Sequence, residues 1–248
     1  MLKKIILFII LISSIVSIYS EDYPLLIITE EWAPYNYTIN NKLTGLSVDI
    51  VEEILNRINL DVTIETLPGV RAINTLNSRP NTIFFSLFKT PEREPLYNWV
   101  GPISSGAIYF YKLRERDITI TNFNDLKRVE KIACRFAGLV HDLLISNNFT
   151  NLDMGSTSSI GVYMQLINGR ADLAISDTDL GMKYYLKSID KDVDLLEKIE
   201  FPLFDSDLYI AFTKDIPIID VQKWQTILNE MYKDGTYQLI FDKYNSNN

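Results

Sequence analysis

The sequence predicts an α/β protein of 248 residues, and three observations carry that reading. Between residues 25 and 87, short apolar runs alternate with segments of helical period in the order strand, helix, strand, helix, strand. That order implies a mainly parallel sheet covered by helices. The same alternation starts again near residue 113. The segment joining the two stretches, Ile108–Leu113, is aromatic and extended, without the glycine or proline of a flexible linker. Periodicity by itself supports one or two α/β units and does not choose between them.

Leu25–Thr29 is a short apolar run and reads as a buried strand. Val48, Val51, Ile54, Leu55 and Ile58 recur at helical spacing, with Glu52, Glu53 and Arg57 on the opposite face. Val62 and Ile64 alternate with Thr63 and Glu65, a strand pattern. Val70–Leu76 reads as a short helix and Thr82–Leu87 as a third strand. In the second stretch, Phe123–Arg128 reads as a short helix, Lys131–Phe136 as a strand and Val140–Ser146 as a helix. Ser159–Asn168 is a helix ended by Gly169, a residue suited to a left-handed cap. Asp172–Ser176 is a strand and Asp179–Leu186 a helix. Leu208–Thr213 reads as a strand, and two helices, Asp220–Lys233 and Thr236–Tyr244, are separated by Gly235.

The first residues have the order of a secretory leader. Lys3 and Lys4 precede the apolar run Ile5–Ile12, and Ser13, Ser14, Ser17 and Ser20 follow. The apolar stretch is short for a bilayer span, which needs roughly 20 residues. Cleavage is expected after Ser20, with Ser17 as the other site, leaving 228 residues from Glu21. Without Lys3 and Lys4, 22 basic residues face 32 acidic ones, a formal net charge of −10. Such a surface argues against nucleic acid and against anionic membranes as partners. The lone Cys134 has no partner for an internal disulfide, and the lone His141 cannot build a His-rich metal site. Cys134 lies in a strand-like run and reads as a core residue rather than a nucleophile. No metal and no cofactor is expected.

The chemistry-bearing residues sit after predicted strands. Thr90-Pro91-Glu92 has the composition of a helix start, with a threonine cap, a proline at the first position and an acid in the first turn. Arg93 then stands where the helix dipole disfavours a cation. Arg71 follows Pro68-Gly69 in the same way. Both starts belong at the carboxyl edge of a sheet, where open α/β sheets bind ligands. Two arginines there suit a bound anion through bidentate guanidinium contacts, or else pair with Glu92, Glu94 or another acid. Trp32 follows the first strand, placed to pack on a ligand or to cover the core. Asp177 ends the strand at Ser176, placed to accept from a ligand ammonium or to cap the next helix.

With these pieces in hand, the chain resembles the bacterial extracellular solute-binding proteins of polar amino-acid ABC transporters, family 3. The matching motifs are Trp32-Ala33-Pro34-Tyr35, Thr44-Gly45-Leu46-Ser47-Val48-Asp49, Thr90-Pro91-Glu92-Arg93-Glu94, Asn168-Gly169-Arg170-Ala171-Asp172 and Asp234-Gly235-Thr236-Tyr237. The resemblance implies a type II periplasmic-binding-protein fold, two hinge-linked lobes each with a central mixed sheet. Lobe 1 would comprise 23–109 and 203–248, lobe 2 would comprise 113–199, and the hinge would lie near 109–113 and 200–204. It also implies that Arg93 clamps a ligand carboxylate, Asp177 takes an ammonium, Trp32 stacks on the ligand and Ser86 joins the carboxylate site. Two departures stand out. The loop Ala137-Gly138-Leu139-Val140 lacks the hydroxyls of the family's Gly-Thr-Thr, leaving Gly138 to approach the ligand. Phe88 replaces a small polar residue. Both make the expected site more apolar.

The function implied is capture of a small amino-acid-like molecule or related carboxylate in the cleft, for delivery to an ABC transporter permease, by a periplasmic, non-enzymatic monomer. The resemblance leaves two alternatives: a periplasmic cyclohexadienyl-type dehydratase, and a soluble sensory protein that hands its ligand to a receptor. The former needs a general acid in the cleft, for which Asp177 is the one candidate.

Overall fold

The structure, a computed structural model, describes residues 23–246. The segment read as a leader lies outside the described residues. Strand β1 (Leu26–Thr29) leads through a hairpin, β2 (Tyr37–Ile39) and β3 (Lys42–Thr44), into helix α1 (Leu46–Ile58). Then follow β4 (Ile64–Thr66), α2 (Gly69–Ser78), β5 (Thr82–Phe88) and β6 (Asn98–Ser104). The first sheet has the order β4-β1-β5-β12-β6, where β12 (Leu208–Phe212) comes from the far end of the chain. β4, β1 and β5 are parallel, and β12 runs antiparallel to both its neighbours.

The physics of this layer is visible in two elements. All seven residues of β5 are buried, as a central strand covered on both faces requires. Helix α1 turns Val48, Val51, Ile54 and Leu55 inward. Helices α6 (Ile218–Asp234) and α7 (Thr236–Ser246) complete the layer, with Gly235 between them in the left-handed conformation at φ 85°.

The second sheet has the order β11-β7-β10-β8-β9. Its strands are β7 (Ile108–Leu113), β8 (Ile132–Arg135), β9 (Leu152–Ser156), β10 (Leu173–Ala174) and β11 (Leu196–Phe204). β10, β8 and β9 are parallel, while β7 is antiparallel to β10 and to β11. Helices α3 (Leu139–Ser146), α4 (Ser159–Ile167) and α5 (Asp179–Ser188) accompany it. Two of them begin on hydroxyl caps: Ser158 Oγ accepts from Gly161 N–H and Thr178 Oγ1 from Gly181 N–H. The strands of the second sheet are thus inserted between β6 and β12 of the first. Ile108–Leu113, read from sequence as a connector, is a paired strand of the second sheet, as is most of the return segment. The chain passes between the sheets at residues 105–107 and 205–207.

Two local expectations are corrected. The helix expected from Thr90 is a turn followed by a 3-10 segment, Glu94–Leu96. Arg93 N–H and Glu94 N–H donate to Thr90 O at 3.0 and 2.8 Å. Pro95 then supplies no N–H and disfavours α geometry in the residue before it, so the turn goes no further. Phe123–Arg128 likewise contracts to a 3-10 turn, Asp125–Lys127. Cys134 is fully buried, and burial pushes its thiol up to about 11, the state of an inert core residue. His141 pairs with Asp142 at 3.0 Å.

Candidate ligand-binding cleft

A cavity of about 490 Å³ lies where the two sheets face one another. Its walls come from the carboxyl ends of parallel strands in both layers. β1 contributes Glu30, Glu31 and Trp32, and β5 contributes Ser86, Leu87 and Phe88. β8 contributes Arg135 and the loop Ala137–Gly138, and β10 contributes Ser176. Arg93 enters from the turn after β5. This is the edge at which open α/β sheets bind ligands. The volume falls in the range of small-molecule sites.

Ser86 is built in an unusual way. Tyr209 of β12 pairs with Leu87 and Ile210 pairs with Phe85, so Ser86 is the extra residue of a bulge. Its φ is +65°, a left-handed conformation that costs a non-glycine residue about 1–3 kcal/mol. The bulge turns its hydroxyl toward the cavity wall, where Oγ is buried without a hydrogen-bond partner among the described residues. Backbone strain and an unsatisfied hydroxyl at one residue are features that folding alone does not reward.

Four ionisable side chains line the cavity: Glu30, Glu31, Arg93 and Arg135. The Arg93 guanidinium is largely buried and donates to Phe88 O at 3.3 Å. Burial draws its pKa down, opposed by the negative potential of Tyr97 and Glu30. Arg135 lines the opposite wall with its Nε buried and without a partner among the described residues. Glu30 faces both: burial raises its carboxyl pKa, and Arg135 and then Arg93 pull it back down. A Cβ built on Gly69 would come within 2.3 Å of Glu30 Oε2, so the Glu30 carboxylate rests against the first residue of α2.

Among the sequence-predicted residues, Trp32, Ser86, Phe88, Arg93 and Gly138 all line the cavity. Phe88 packs on Trp32 and Phe204 at centroid distances of 5.5 and 5.0 Å. Asp177 is buried behind this wall. Its Oδ1 accepts from Trp32 Nε1 at 2.7 Å, and its Oδ2 has no partner among the described residues. Arg71 lies on the exposed face of α2 and does not line the cavity. Its position one turn inside a helix after a strand is shared with true edge residues, but its side chain sits on the outward side. Glu30 and Arg135 were missed. The signal for Arg135 was present: an arginine near the carboxyl end of the otherwise apolar run Ile132-Ala133-Cys134. Among the described residues, no group of three or more His, Cys, Asp or Glu is placed to hold a metal ion, and no helix is long and apolar enough to cross a membrane.

Residues 25–247 match the family of bacterial extracellular solute-binding proteins, family 3. The chain belongs to that family. This solute-binding protein is 22% identical over 225 residues to a probable amino-acid-binding protein of Bacillus subtilis, across 85% of this chain and 79% of that one. It is 24% identical over 208 residues to a putative ABC transporter arginine-binding protein of Escherichia coli, across 83% of each. Among solved structures, a histidine kinase sensor domain with similarity to periplasmic binding proteins superposes with a TM-score of 0.74 at 15% identity, covering 90% of this chain and 97% of that one. The two-lobed type II periplasmic-binding-protein fold expected from sequence is therefore the fold of this solute-binding protein.

Proposed function

We propose that the protein captures a small amino-acid-like or related carboxylate ligand in the interlobe cavity, and that it does so outside the cytoplasm, as a monomer, for delivery to an ABC transporter permease. The observation that carries the reading is the cavity itself. It joins residues from both sheets and holds a half-buried, partly paired arginine and a strained serine whose hydroxyl is unsatisfied among the described residues. The curated relatives described as amino-acid-binding and as an ABC transporter component support the ligand class and the recipient. Closure would turn on the two passages at 105–107 and 205–207, with β1–β6, β12, α6 and α7 in lobe 1 and β7–β11 in lobe 2. Binding rather than catalysis is favoured by the curated relatives, which are described as binding proteins. Turnover of a cyclohexadienyl acid would count against this.

The test is a thermal-shift screen against amino acids, amines and small carboxylates, followed by calorimetry on wild type and Arg93→Ala. Ligand at 100 times its Kd should stabilise the protein by about 2.7 kcal/mol. Losing one partner of a desolvated charge pair costs about 2–5 kcal/mol, so Arg93→Ala should weaken binding by about 30-fold to several thousand-fold at an unchanged melting temperature. Normal affinity with a lowered melting temperature would make Arg93 a structural residue and misplace the site.

A further inference from the structure

We propose that Arg135 selects a ligand carrying a second anionic group, so that this protein prefers short dicarboxylates or acidic amino acids over neutral and cationic ones. The inference rests on the solute-binding reading above and adds the chemical class of the solute.

Two guanidinium groups, Arg93 from one lobe and Arg135 from the other, line the same space. Glu30 is the carboxylate that responds to both. Its Oε2 lies against Gly69 at the start of α2. It forms no ion pair within 4 Å with either arginine among the described residues. The acid on the other side, Asp177, takes a hydrogen bond from Trp32 and is not part of the cavity lining. The remaining acid of the lining, Glu31, accepts from Thr38 N–H and Oγ1 at 3.1 and 2.5 Å, so the four charges of the cavity balance formally while the two acids leave Arg135 without a partner. Arg93 also has a backbone partner, Phe88 O, whereas the Arg135 guanidinium has no hydrogen-bond or ion-pair partner among the described residues and its Nε is buried. Leaving a buried guanidinium nitrogen unpaired is costly, and a carboxylate matched to the guanidinium fork removes that cost. The rest of the lining is largely apolar, including Val70, Ile73, Leu139 and Val140, which suits a short hydrocarbon spacer between two charged ends. Because Arg135 belongs to the second lobe, its contact forms as the lobes close and acts mainly on the off-rate.

The experiment compares L-glutamate with its uncharged isostere L-glutamine, and adds L-aspartate, succinate, glutarate and L-arginine, by calorimetry on wild type, Arg135→Gln and Arg135→Lys. In wild type, at least one dicarboxylate should bind about 30-fold or more tighter than L-glutamine and L-arginine. Arg135→Gln should reduce that preference to within a few-fold. Arg135→Lys should retain part of it, since lysine keeps the charge but not the fork. The readout is a ratio within each variant, so a general loss of folded protein does not imitate the effect, and melting curves check the fold. L-glutamine or L-arginine binding as well as every dicarboxylate overturns the inference, as does an anion preference that survives Arg135→Gln, or no dicarboxylate binding at all. If a neutral or cationic amino acid binds and Arg93→Ala abolishes it, the reading of the cleft stands and only the role of Arg135 fails. If no amino acid or carboxylate binds, both fail.

Discussion

Glu30 shows how one residue ties stability to the site. Its carboxyl pKa in the folded protein lies above the ordinary value because burial outweighs the pull of Arg135 and Arg93. The fold thus favours the protonated form. Its favourable contribution is complete below the unfolded carboxylate pKa and is lost as pH rises through the raised folded value. Glu30→Gln mimics the protonated state at every pH. The melting temperature of the variant relative to wild type should therefore rise between about pH 4 and pH 8, as melting curves across that range will show. A pH-independent difference would mean that α2 and the arginines fully compensate the charge. Residue-scale legibility was uneven for a physical reason. Trp32 was read from its place after the first strand, and Ser86 and Phe88 from what the family resemblance implies. Arg93 was singled out by a dipole argument, yet the α-helix it assumed is a short turn ended by Pro95. Glu30 and Arg135 went unread because a charge after or within a strand looks like a solvated residue until the facing lobe is in place.

Among elements, most central strands were legible and most edges were not. β1, β5, β8 and β12 are continuous apolar runs, as strands buried on both faces must be. Of the strands not recognised, β6, β9 and β11 lie at the edges of the two large sheets, β2 and β3 form a hairpin of their own, and the inner strand β7 was read as an extended connector. β6 carries Gly101-Pro102, β11 carries Pro202 at a register shift, and β9 reads Leu-Asp-Met-Gly-Ser. Proline, glycine and charge are what edges tolerate and what erases the alternating pattern. The Thr44–Asp49 motif proves to be structural. Gly45 holds φ +132° at the start of α1, and a Cβ there would meet Tyr35 O at 2.2 Å. Its N–H donates to Tyr244 Oη, while Asp49 accepts from Tyr244 Oη and Lys243 Nζ at 2.9 and 2.6 Å, docking α7 onto α1. Gly45→Ala should destabilise the protein by about 1–3 kcal/mol, read as a lower urea midpoint. An unchanged midpoint would show that the loop yields without cost.

Across the whole molecule, the two layers touch through a row of first-lobe aromatics on the start of α5. Trp32 reaches Asp177, Tyr35 Oη meets Thr178 Oγ1 at 2.7 Å, and the rings of Tyr37 and Tyr184 lie 5.3 Å apart. These contacts and the cavity share the same residues, so opening the lobes breaks both together. Ligand bridging Arg93 and the second lobe should hold the closed arrangement, because a ligand shifts such an equilibrium by its differential affinity for the two states. The direct test is small-angle X-ray scattering on the protein with and without a saturating ligand from the screen, repeated on Arg93→Ala at the same ligand concentration. The account predicts a smaller radius of gyration for ligand-bound wild type and no change for the variant. An identical profile for wild type with and without saturating ligand would contradict capture between closing lobes.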